Sequence, residues 1–272
     1  MNRKIYIYAL VIFAISQLAS FAQSNINISA GMPVKQGDSV FYIIDRPQYV
    51  ISISKYLSVA NWAAWHLDKN DYGKTGRTSE RFITDTTLPI QYYRATHSDY
   101  TNSGYDRGHL VPSNERTSTK EANNATFYLT NIVPQTPDLN RLVWYQFEKY
   151  CKTLAVDSNY TLYIVAGGVY NDSSWMNEKI AIPDSCWKVA LLVSNKNTLS
   201  DVDSTTQTIA IMMPNINGLK GKKWTQYITS VRNVEKATGY DFFNALPINI
   251  QDAIETKVYK IKPEPAKKKK KK

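Results

Sequence analysis

The sequence predicts a single α+β domain over residues 38–258, and three observations support this prediction. The chain has 272 residues, of which 43% are hydrophobic, so it is long enough and apolar enough to bury a large core. Nineteen tyrosines and six tryptophans favour several strands, because aromatic side chains suit the half-buried surface of a sheet. Short β-like segments are interspersed with amphipathic helical segments, without an internal repeat or an interdomain linker.

Residues 1–22 have the pattern of a cleavable signal peptide. Arg3-Lys4 precedes an apolar run from Ile5 to Leu18, and Ser20-Phe21-Ala22 is a small-x-small cleavage site. The apolar run is shorter than a typical transmembrane span, and no second one follows. We therefore expect a secreted or periplasmic protein that has no stable membrane span once the signal is removed. An uncleaved membrane anchor is the alternative.

Seven segments have the apolar or alternating patterns that are typical of strands. Residues 23–37, which precede them, are polar and punctuated by glycine and proline, so we expect a loosely structured lead-in. The predicted strands are Val40–Ile44, Val50–Ser54, Val59–Leu67, Thr126–Val133, Tyr160–Tyr170, Trp187–Ser194 and Thr208–Met213.

Four segments are predicted to be helical. Apolar residues recur at three- and four-residue steps over Asp138–Leu154 and over Lys223–Thr238. A capping-box pattern at Ser118–Glu121 predicts a short helix that runs through Ala125. Pro247–Val258 is a weaker helix, and residues 259–272 form a Lys-rich tail that we expect to be disordered.

The formal net charge of +10 says little about binding partners. Lys267–Lys272 supply six of these charges and Arg3-Lys4 supplies two, which leaves +2 for the rest of the chain. Any surface that binds nucleic acid must therefore be a local basic patch. The lysine tail either adds non-specific affinity for nucleic acid or has no role.

The two cysteines, Cys151 and Cys186, have two possible states. An exported protein meets an oxidising environment, in which they could form a disulfide. Two buried free thiols are the alternative, and sequence separation does not decide between them.

The strongest candidate for a catalytic base is His109, in the stretch Tyr105-Asp106-Arg107-Gly108-His109. The chain has three histidines, so few side chains can act as a general base near pH 7. On an extended segment Arg107 and His109 point to the same side, so a guanidinium and an imidazole can face one phosphate. The positive charge of Arg107 also disfavours the imidazolium form of His109. A purely structural histidine is the alternative.

Asn140 and Glu148, on the predicted helix, are candidate groups for a divalent metal. They lie about 12 Å apart along a regular helix and differ by about 80° around it, so they share a face. That distance favours Asn140 as the direct ligand and Glu148 as a group that acts through metal-bound water. A neutral ligand leaves Mg²⁺ most of its charge and its waters. A polar helix face without a metal is an equally reasonable interpretation.

Three further cations, Arg77, Arg81 and Lys152, are candidate phosphate-binding residues. Hydrolysis of a phosphodiester requires a base for water, positive charge near the phosphorus and stabilisation of the departing oxygen. Arginines or lysines suit the second requirement. Each of the three is also compatible with an ordinary solvated charge, so their role depends on whether the fold brings them to one cleft.

Asp106-Arg107-Gly108-His109 resembles the signature of the DNA/RNA non-specific endonucleases, which are ββα-metal nucleases. An ordered set of shorter matches over roughly residues 60–245 carries the resemblance further than one short motif would. The clearest of these matches are Arg94–Thr96, Asp99-Tyr100, Ser103–Tyr105, Thr126–Leu129, Asn131–Gln135, Asn140, Trp144 and Glu148.

The resemblance implies a mostly antiparallel central sheet flanked by helices, with a ββα finger that carries the site. It implies that His109 activates water, that Asn140 binds Mg²⁺ or Mn²⁺, and that Glu148 orients metal-bound waters. It further implies that Asn131 lines the site. Arg107 would hold the phosphate, together with Arg77 or Arg81, and Lys152 stands where many family members have an arginine. The implied activity is cleavage of DNA and RNA to 5′-phosphate and 3′-hydroxyl ends.

Two other functions are compatible with the same residues. A catalytically inactive nucleic-acid-binding protein would use the same scaffold without cleavage. A phosphodiesterase for small esters would use the same chemistry on another substrate. The presence of the base, the ligand and the helical glutamate together favours the nuclease.

Overall fold

The computed structural model describes residues 25–35, 37, 41–77, 82–171 and 174–261. The predicted signal peptide at residues 1–22, the tail beyond residue 261 and the candidate Arg81 lie outside the described residues. Within the described part of the chain, no helix is long and apolar enough to cross a membrane.

A seven-stranded antiparallel sheet forms the centre of the described part of the fold. The strands of the described ranges are β1 (Val34–Lys35), β2 (Phe41–Arg46), β3 (Tyr49–Ser54), β4 (Ala60–Leu67), β5 (Asp106–His109), β6 (Ile132–Gln135), β7 (Tyr160–Val169), β8 (Ser174–Met176), β9 (Ile180–Ile182), β10 (Ser185–Ser194), β11 (Gln207–Pro214), β12 (Ile228–Thr229) and β13 (Tyr240–Asp241). The order in the central sheet is β12-β11-β10-β7-β4-β3-β2. Among the described residues, three two-stranded pairings accompany it: β1 with β13, β5 with β6, and β8 with β9.

Helices pack on both faces of this sheet, so the predicted α+β class is confirmed. The α-helices of the described residues are α1 (Lys120–Ala125), α2 (Tyr145–Lys152), α3 (Val231–Thr238) and α4 (Ile248–Glu255). Helix α2 is continuous with wide π-helical turns on both sides, at Leu139–Trp144 and Thr153–Asp157.

The alternation of side chains along the central strands creates two separate cores. In β10, Trp187 and Val189 face the core that contains α3 and α4, whereas Cys186 and Ala190 face the core that contains α2. Both cores are apolar because β7 and β10 are covered on both faces. Lys188 lies between Trp187 and Val189 in this alternation, so it points to the α2 side of the sheet.

The pair of strands β5 and β6 and the helix that follows them form a ββα finger over the α2 face. Strand β5 carries the Asp106–His109 stretch, and it pairs with β6 in the register Gly108 to Val133. The following helical segment inserts Leu139, Val143 and Phe147 into the core beneath. The finger therefore fixes β5 and α2 on the same side of the sheet.

The structure departs most from the sequence prediction in two segments. The predicted strand Thr126–Val133 is wrong over most of its length, because Leu129–Asn131 form a 3-10 turn and β6 begins only at Ile132. The predicted helix Lys223–Thr238 is too long at its start. The hydroxyl of Ser230 accepts a hydrogen bond from the Asn233 backbone at 3.2 Å and caps a helix that begins at Val231.

The described part of the lead-in segment packs against the domain. Ile28 and Ala30 are buried in the core on the α3 side. Strand β1 pairs with β13, and the side chain of Asn27 accepts a hydrogen bond from the His66 backbone at 2.9 Å. These contacts attach residues 25–35 to the sheet.

Both cysteines are buried free thiols, which answers the question that the sequence leaves open. Cys151 lies on α2 and Cys186 on β10, and both belong to the core beneath the finger.

The close contact between Gly108 and Gln135 predicts how a substitution in the finger changes the stability of the protein. A Cβ atom at Gly108 would lie 2.2 Å from Gln135 Oε1 and 2.5 Å from its Cγ. We expect Gly108→Ala to lower the free energy of unfolding by about 1–3 kcal/mol, because the buried Gln135 cannot move away. Urea denaturation measures this change. The double variant Gly108→Ala/Gln135→Ala should recover part of the loss; no recovery would show that the contact is not the cause.

Candidate active site

A polar cleft of about 210 Å³ opens between the finger and the loops that follow β5. It continues into a neighbouring hollow of about 400 Å³, with which it shares Asn114, Tyr145 and Glu148. The residues that line the cleft are Arg77, Arg107, His109, Pro112, Ser113, Asn114, Asn140, Arg141, Tyr145 and Glu148.

The imidazole of His109 packs in a cluster of three rings, with centroid distances of 5.4 Å to Phe82, 5.3 Å to Phe127 and 5.3 Å between the two phenyl rings. Its Nε2 atom is buried and has no hydrogen-bond partner among the described residues. Burial, followed by the positive charges of Arg77 and Lys188, lowers the pKa of His109 to about 3. The imidazole is therefore neutral at pH 7, and its Nε2 is not committed to another protein group.

Arg107 is not among the groups that lower the pKa of His109, although the sequence suggests that it would be. Arg107 does line the same cleft, as the extended strand predicts. The cations that lower the His109 pKa are instead Arg77 and Lys188, which reach the site from other parts of the chain.

Arg107 is held by the loop that precedes β5. Its guanidinium donates hydrogen bonds to the His97 carbonyl at 2.8 Å and to the Thr101 hydroxyl at 3.3 Å. The same group lies 5.7 Å from the ring centre of Phe82 and 5.6 Å from that of Tyr100. Its Nε is buried without a partner. Arg107 is thus oriented at the cleft wall and retains an unused donor.

Asp106, the first residue of the motif, orients Asn140. Asn140 Nδ2 donates to Asp106 Oδ2 at 2.9 Å, and Arg141 donates to both carboxylate oxygens at 2.6 and 2.7 Å. Burial acts to raise the pKa of Asp106, but the hydrogen bonds from Arg141 and Asn140 outweigh it and lower the pKa. Because the amide nitrogen of Asn140 faces Asp106, the amide oxygen remains available as an uncharged metal ligand.

Asn140 and Glu148 line the same cleft, although the helix between them is not regular. The turn Leu139–Trp144 is π-helical, which changes the angle between the two residues from the value expected for an α-helix. Such wide turns are frequent at functional sites.

A buried lysine lies directly beneath the cleft. Lys188 is fully buried, and its Nζ lies 3.6 Å from Glu148 Oε1 without a hydrogen bond. The indole rings of Trp144 and Trp65 flank the ammonium group, at 4.3 and 5.2 Å from their centres. Burial raises the pKa of Glu148 above its usual value, and the charge of Lys188 offsets only part of this rise. Lys188 therefore provides the countercharge of the cleft carboxylate.

Glu115 is a second buried carboxyl group near Lys188. Its Oε2 accepts a hydrogen bond from Trp65 Nε1 at 2.8 Å, and its Oε1 has no partner. Burial raises the pKa of Glu115 to about 7, against the effect of Lys188. A substantial fraction of this carboxyl group is therefore neutral at pH 7.

Asn131 does not line the cleft; it is fully buried behind it. Its Oδ1 accepts a hydrogen bond from the Val111 backbone at 3.0 Å. Its Nδ2 donates to the carbonyls of Val111 and Thr126, both at 3.0 Å. Asn131 thus fixes the chain immediately after His109 instead of facing a substrate.

The remaining candidates have separate places. Arg77 lines the cleft, and its guanidinium lies 5.2 Å from the ring centre of Phe127. Lys152 lines the adjoining hollow instead of the cleft. Sequence reasoning missed Asn114, Arg141, Glu115 and Lys188. A lysine in the middle of the otherwise apolar strand β10 is the one signal that would have indicated Lys188.

The oxygen donors of the cleft fit a hard divalent cation. The free oxygen of Asn140 and the carboxylate of Glu148 are ligand types that Mg²⁺ prefers. Among the described residues, no group of three or more His, Cys, Asp or Glu side chains is arranged to hold a metal. Few protein ligands suit Mg²⁺, which retains several waters.

Sequence comparisons identify proteins that are similar to this chain over most of its length. A model of the DNA/RNA non-specific endonuclease family matches residues 23–249. A nuclease from Nostoc sp. is 40% identical over 218 residues, which cover 80% of this chain and 78% of that protein. Nuclease C1 from Cunninghamella echinulata is 29% identical over 222 residues, which cover 76% of this chain and 84% of that protein.

A solved structure supports the fold. A chain in the crystal structure of the EndoG/EndoGI complex has a TM-score of 0.70 and 22% sequence identity, over 82% of this chain and 91% of that chain. At this level of identity the similarity shows the shared fold alone.

The protonation state of His109 can be followed directly by NMR, since the chain has three histidines. We expect its ring signals to remain those of a neutral imidazole from pH 8 down to pH 5, because burial and nearby cations lower its pKa to about 3. In urea the same signals should titrate near pH 6.5. A native-state midpoint between pH 6 and 7 would contradict this account of the site.

The pairing of Lys188 with Glu148 predicts non-additive substitutions. We expect Lys188→Met to lower the free energy of unfolding by a few kcal/mol, because it leaves a largely buried carboxylate without its countercharge. Glu148→Gln in the Lys188→Met background should recover part of that loss. Urea unfolding of both single variants and of the double variant measures the coupling. Strictly additive losses would show that Lys188 does not act through Glu148.

Proposed function

This chain belongs to the DNA/RNA non-specific endonuclease family and is a nucleic-acid hydrolase, and on that premise we propose a specific reaction for the cleft. The proposed activity is Mg²⁺-dependent hydrolysis of phosphodiester bonds in DNA and RNA. The products carry 5′-phosphate and 3′-hydroxyl ends.

One observation carries this proposal. An uncommitted, neutral imidazole and an uncommitted amide oxygen, from His109 and Asn140, line a single cleft whose wall also carries Arg107 and Arg77. A base, a ligand for a hard cation and two phosphate-binding cations are the groups that phosphodiester hydrolysis requires.

His109 is the proposed general base. Its imidazole accepts a proton from the attacking water, and the low pKa keeps the ring neutral at pH 7. The pKa is lower than the ideal for proton transfer at pH 7. The negative phosphate that enters the cleft would raise it, because an opposite charge favours the imidazolium form.

Arg107 and Arg77 are proposed to hold the phosphate. Both line the cleft, so their positive charges lie where a phosphate would bind. Because the loop at His97 and Thr101 already holds the Arg107 guanidinium, little side-chain entropy is lost when it binds. Arg81 lies outside the described residues, so only Arg77 supports the second role.

Asn140 is the proposed metal ligand, and Glu148 the group that orients waters around it. Mg²⁺, when bound, supplies positive charge for the departing oxygen. Asp106 keeps the Asn140 oxygen available, and Lys188 keeps the Glu148 carboxylate in place. Mn²⁺, which also prefers oxygen ligands, would suit the same donors.

Export is a separate part of the proposal, and it rests on the sequence pattern of residues 1–22. The nuclease would then act outside the cytoplasm on DNA and RNA.

The proposal predicts chelator-sensitive cleavage of both nucleic acids. Purified protein should nick plasmid DNA and degrade single-stranded RNA in millimolar Mg²⁺, and EDTA should abolish both activities. His109→Ala should lower the rate by about 10² to 10⁴-fold, the range for loss of a general base. Gel electrophoresis measures the rates, and enzymatic labelling of the products identifies their ends.

A matched control is His66→Gln, because His66 packs against Tyr163 at a ring distance of 5.6 Å, outside the cleft. This variant should cleave at the wild-type rate. Wild-type cleavage by His109→Ala would reject the base assignment. Binding without cleavage in Mg²⁺ would identify an inactive binding protein, and faster turnover of a small chromogenic phosphodiester would identify a small-ester phosphodiesterase.

A further inference from the structure

The hollow next to the cleft has the features of a second ligand-binding region. Its volume is about 400 Å³, and it shares Asn114, Tyr145 and Glu148 with the cleft, so a polymer in one can continue into the other. It is lined in addition by Tyr72, Gly73, Glu115, Thr117, Lys149 and Lys152.

Two lysines of the hollow have no acidic partner among the described residues. Tyr145, Lys149 and Lys152 recur at steps of four and three along α2 and therefore share one face of the helix. Lys149 Nζ lies 4.9 Å from the ring centre of Tyr145, and Lys152 Nζ lies 5.2 Å from that of Tyr72. This face extends about 10 Å along the helix, which is long enough for one or more further nucleotides.

Two buried polar atoms of the hollow have no hydrogen-bond partner among the residues that the structure describes. Glu115, which is 2% exposed, has an unpaired Oε1. The Tyr72 hydroxyl is buried and also unpaired. Buried polar atoms normally have hydrogen-bond partners, so each of these two can form one further hydrogen bond, to a water or to a ligand group that enters the hollow.

The acidic side chains of the hollow do not prevent an anion from binding. Glu148 has Lys188 as its countercharge, at 3.6 Å. Burial raises the pKa of Glu115 to about 7, so this carboxyl group is partly neutral at pH 7. Two unpaired lysines therefore dominate the exposed charge.

We propose that the hollow binds the nucleotide that flanks the scissile phosphate, with Lys149 and Lys152 on its phosphate and Tyr145 stacked on its base. The Tyr72 hydroxyl and Glu115 bind polar groups of the same nucleotide. Stacking on an aromatic side chain beside a basic groove is how proteins hold single strands without reading their sequence. This inference rests on the proposed nuclease function, which it extends from one phosphate to a longer stretch of strand.

The first test measures binding apart from catalysis. In a His109→Ala background, fluorescence anisotropy gives the affinity for a labelled single-stranded oligonucleotide at several salt concentrations. Each lost phosphate contact should reduce the slope of log affinity against log salt by about 0.7 for a single strand. We expect this reduction for Lys149→Gln.

Lys236→Gln provides a matched control. It removes the same charge from an exposed position on α3, which packs on the opposite face of the sheet. Its salt slope should equal that of the parent. An unchanged slope for Lys149→Gln, or an equal reduction in both variants, would overturn the proposal.

The second test compares two substrates in the active enzyme. Lys149→Gln and Tyr72→Phe should lower kcat/KM for an oligonucleotide by about threefold to tenfold and leave kcat/KM for a small chromogenic phosphodiester unchanged. Equal losses on both substrates, or no loss on either, would overturn the inference. If the wild type did not cleave nucleic acid at all, the proposed function would fail, and the salt slopes would still decide whether the hollow binds the strand.

Discussion

The buried ammonium group of Lys188 is the constraint on which the charges of the cleft depend. A charge in the interior is costly unless it is paired, and Lys188 emerges from a central strand among apolar neighbours. The rings of Trp65 and Trp144 and the carboxylate of Glu148 surround it. Its charge favours the ionised form of Glu148 and the neutral form of His109. The same positive charge thus favours the deprotonated form of both groups, against burial in Glu148 and together with burial in His109.

A second set of side chains holds the cleft residues in place from behind. Asp106 bonds to Asn140 across the finger, and Asn131 uses every side-chain hydrogen bond on the backbone around Val111 and Thr126. Gly108, which has no side chain, permits the close approach of the Gln135 side chain from β6. Through these contacts, the Asp106–His109 motif on β5 positions residues of β6 and of the following helix. Each member positions the next element, and the groups proposed to touch substrate are a minority of the residues involved.

Much of the site could be predicted from the sequence because its chemistry is local. Arg107 and His109 share one strand, and Asn140 and Glu148 share one helical segment, so residue type and spacing place each pair on a common surface. Six of the seven strands of the central sheet were predictable for the same reason, whereas β12 falls inside the segment Lys223–Thr238 that was predicted as a helix. The segment Thr126–Asn131 alternates as a strand would. It forms turns instead, in which the carbonyls of Thr126 and Tyr128 accept hydrogen bonds from Asn131.

The remaining features depend on contacts that no local pattern encodes. The sequence indicates that Asn131 lines the site, but in the structure it is buried and bonds to the backbone of Val111 and Thr126. Lys188 and Glu115 are distant in sequence from the motif and reach it only through the sheet. The π-helical turn at Leu139–Trp144 was not predictable, since apolar residues recur in it at ordinary helical spacing. Sequence periodicity therefore cannot indicate the buried charged residues, because they reach the site from distant parts of the chain.

We propose that His109 and Asn140 act on one phosphate from two sides of a single cleft. A crystal structure of the His109→Ala enzyme with Mg²⁺ and a short oligonucleotide would locate the metal and the phosphate. We expect metal density at the Asn140 side-chain oxygen, with a phosphate between the metal and the position of the missing imidazole. A metal bound away from Asn140, or a phosphate outside the reach of residue 109, would rule out these roles.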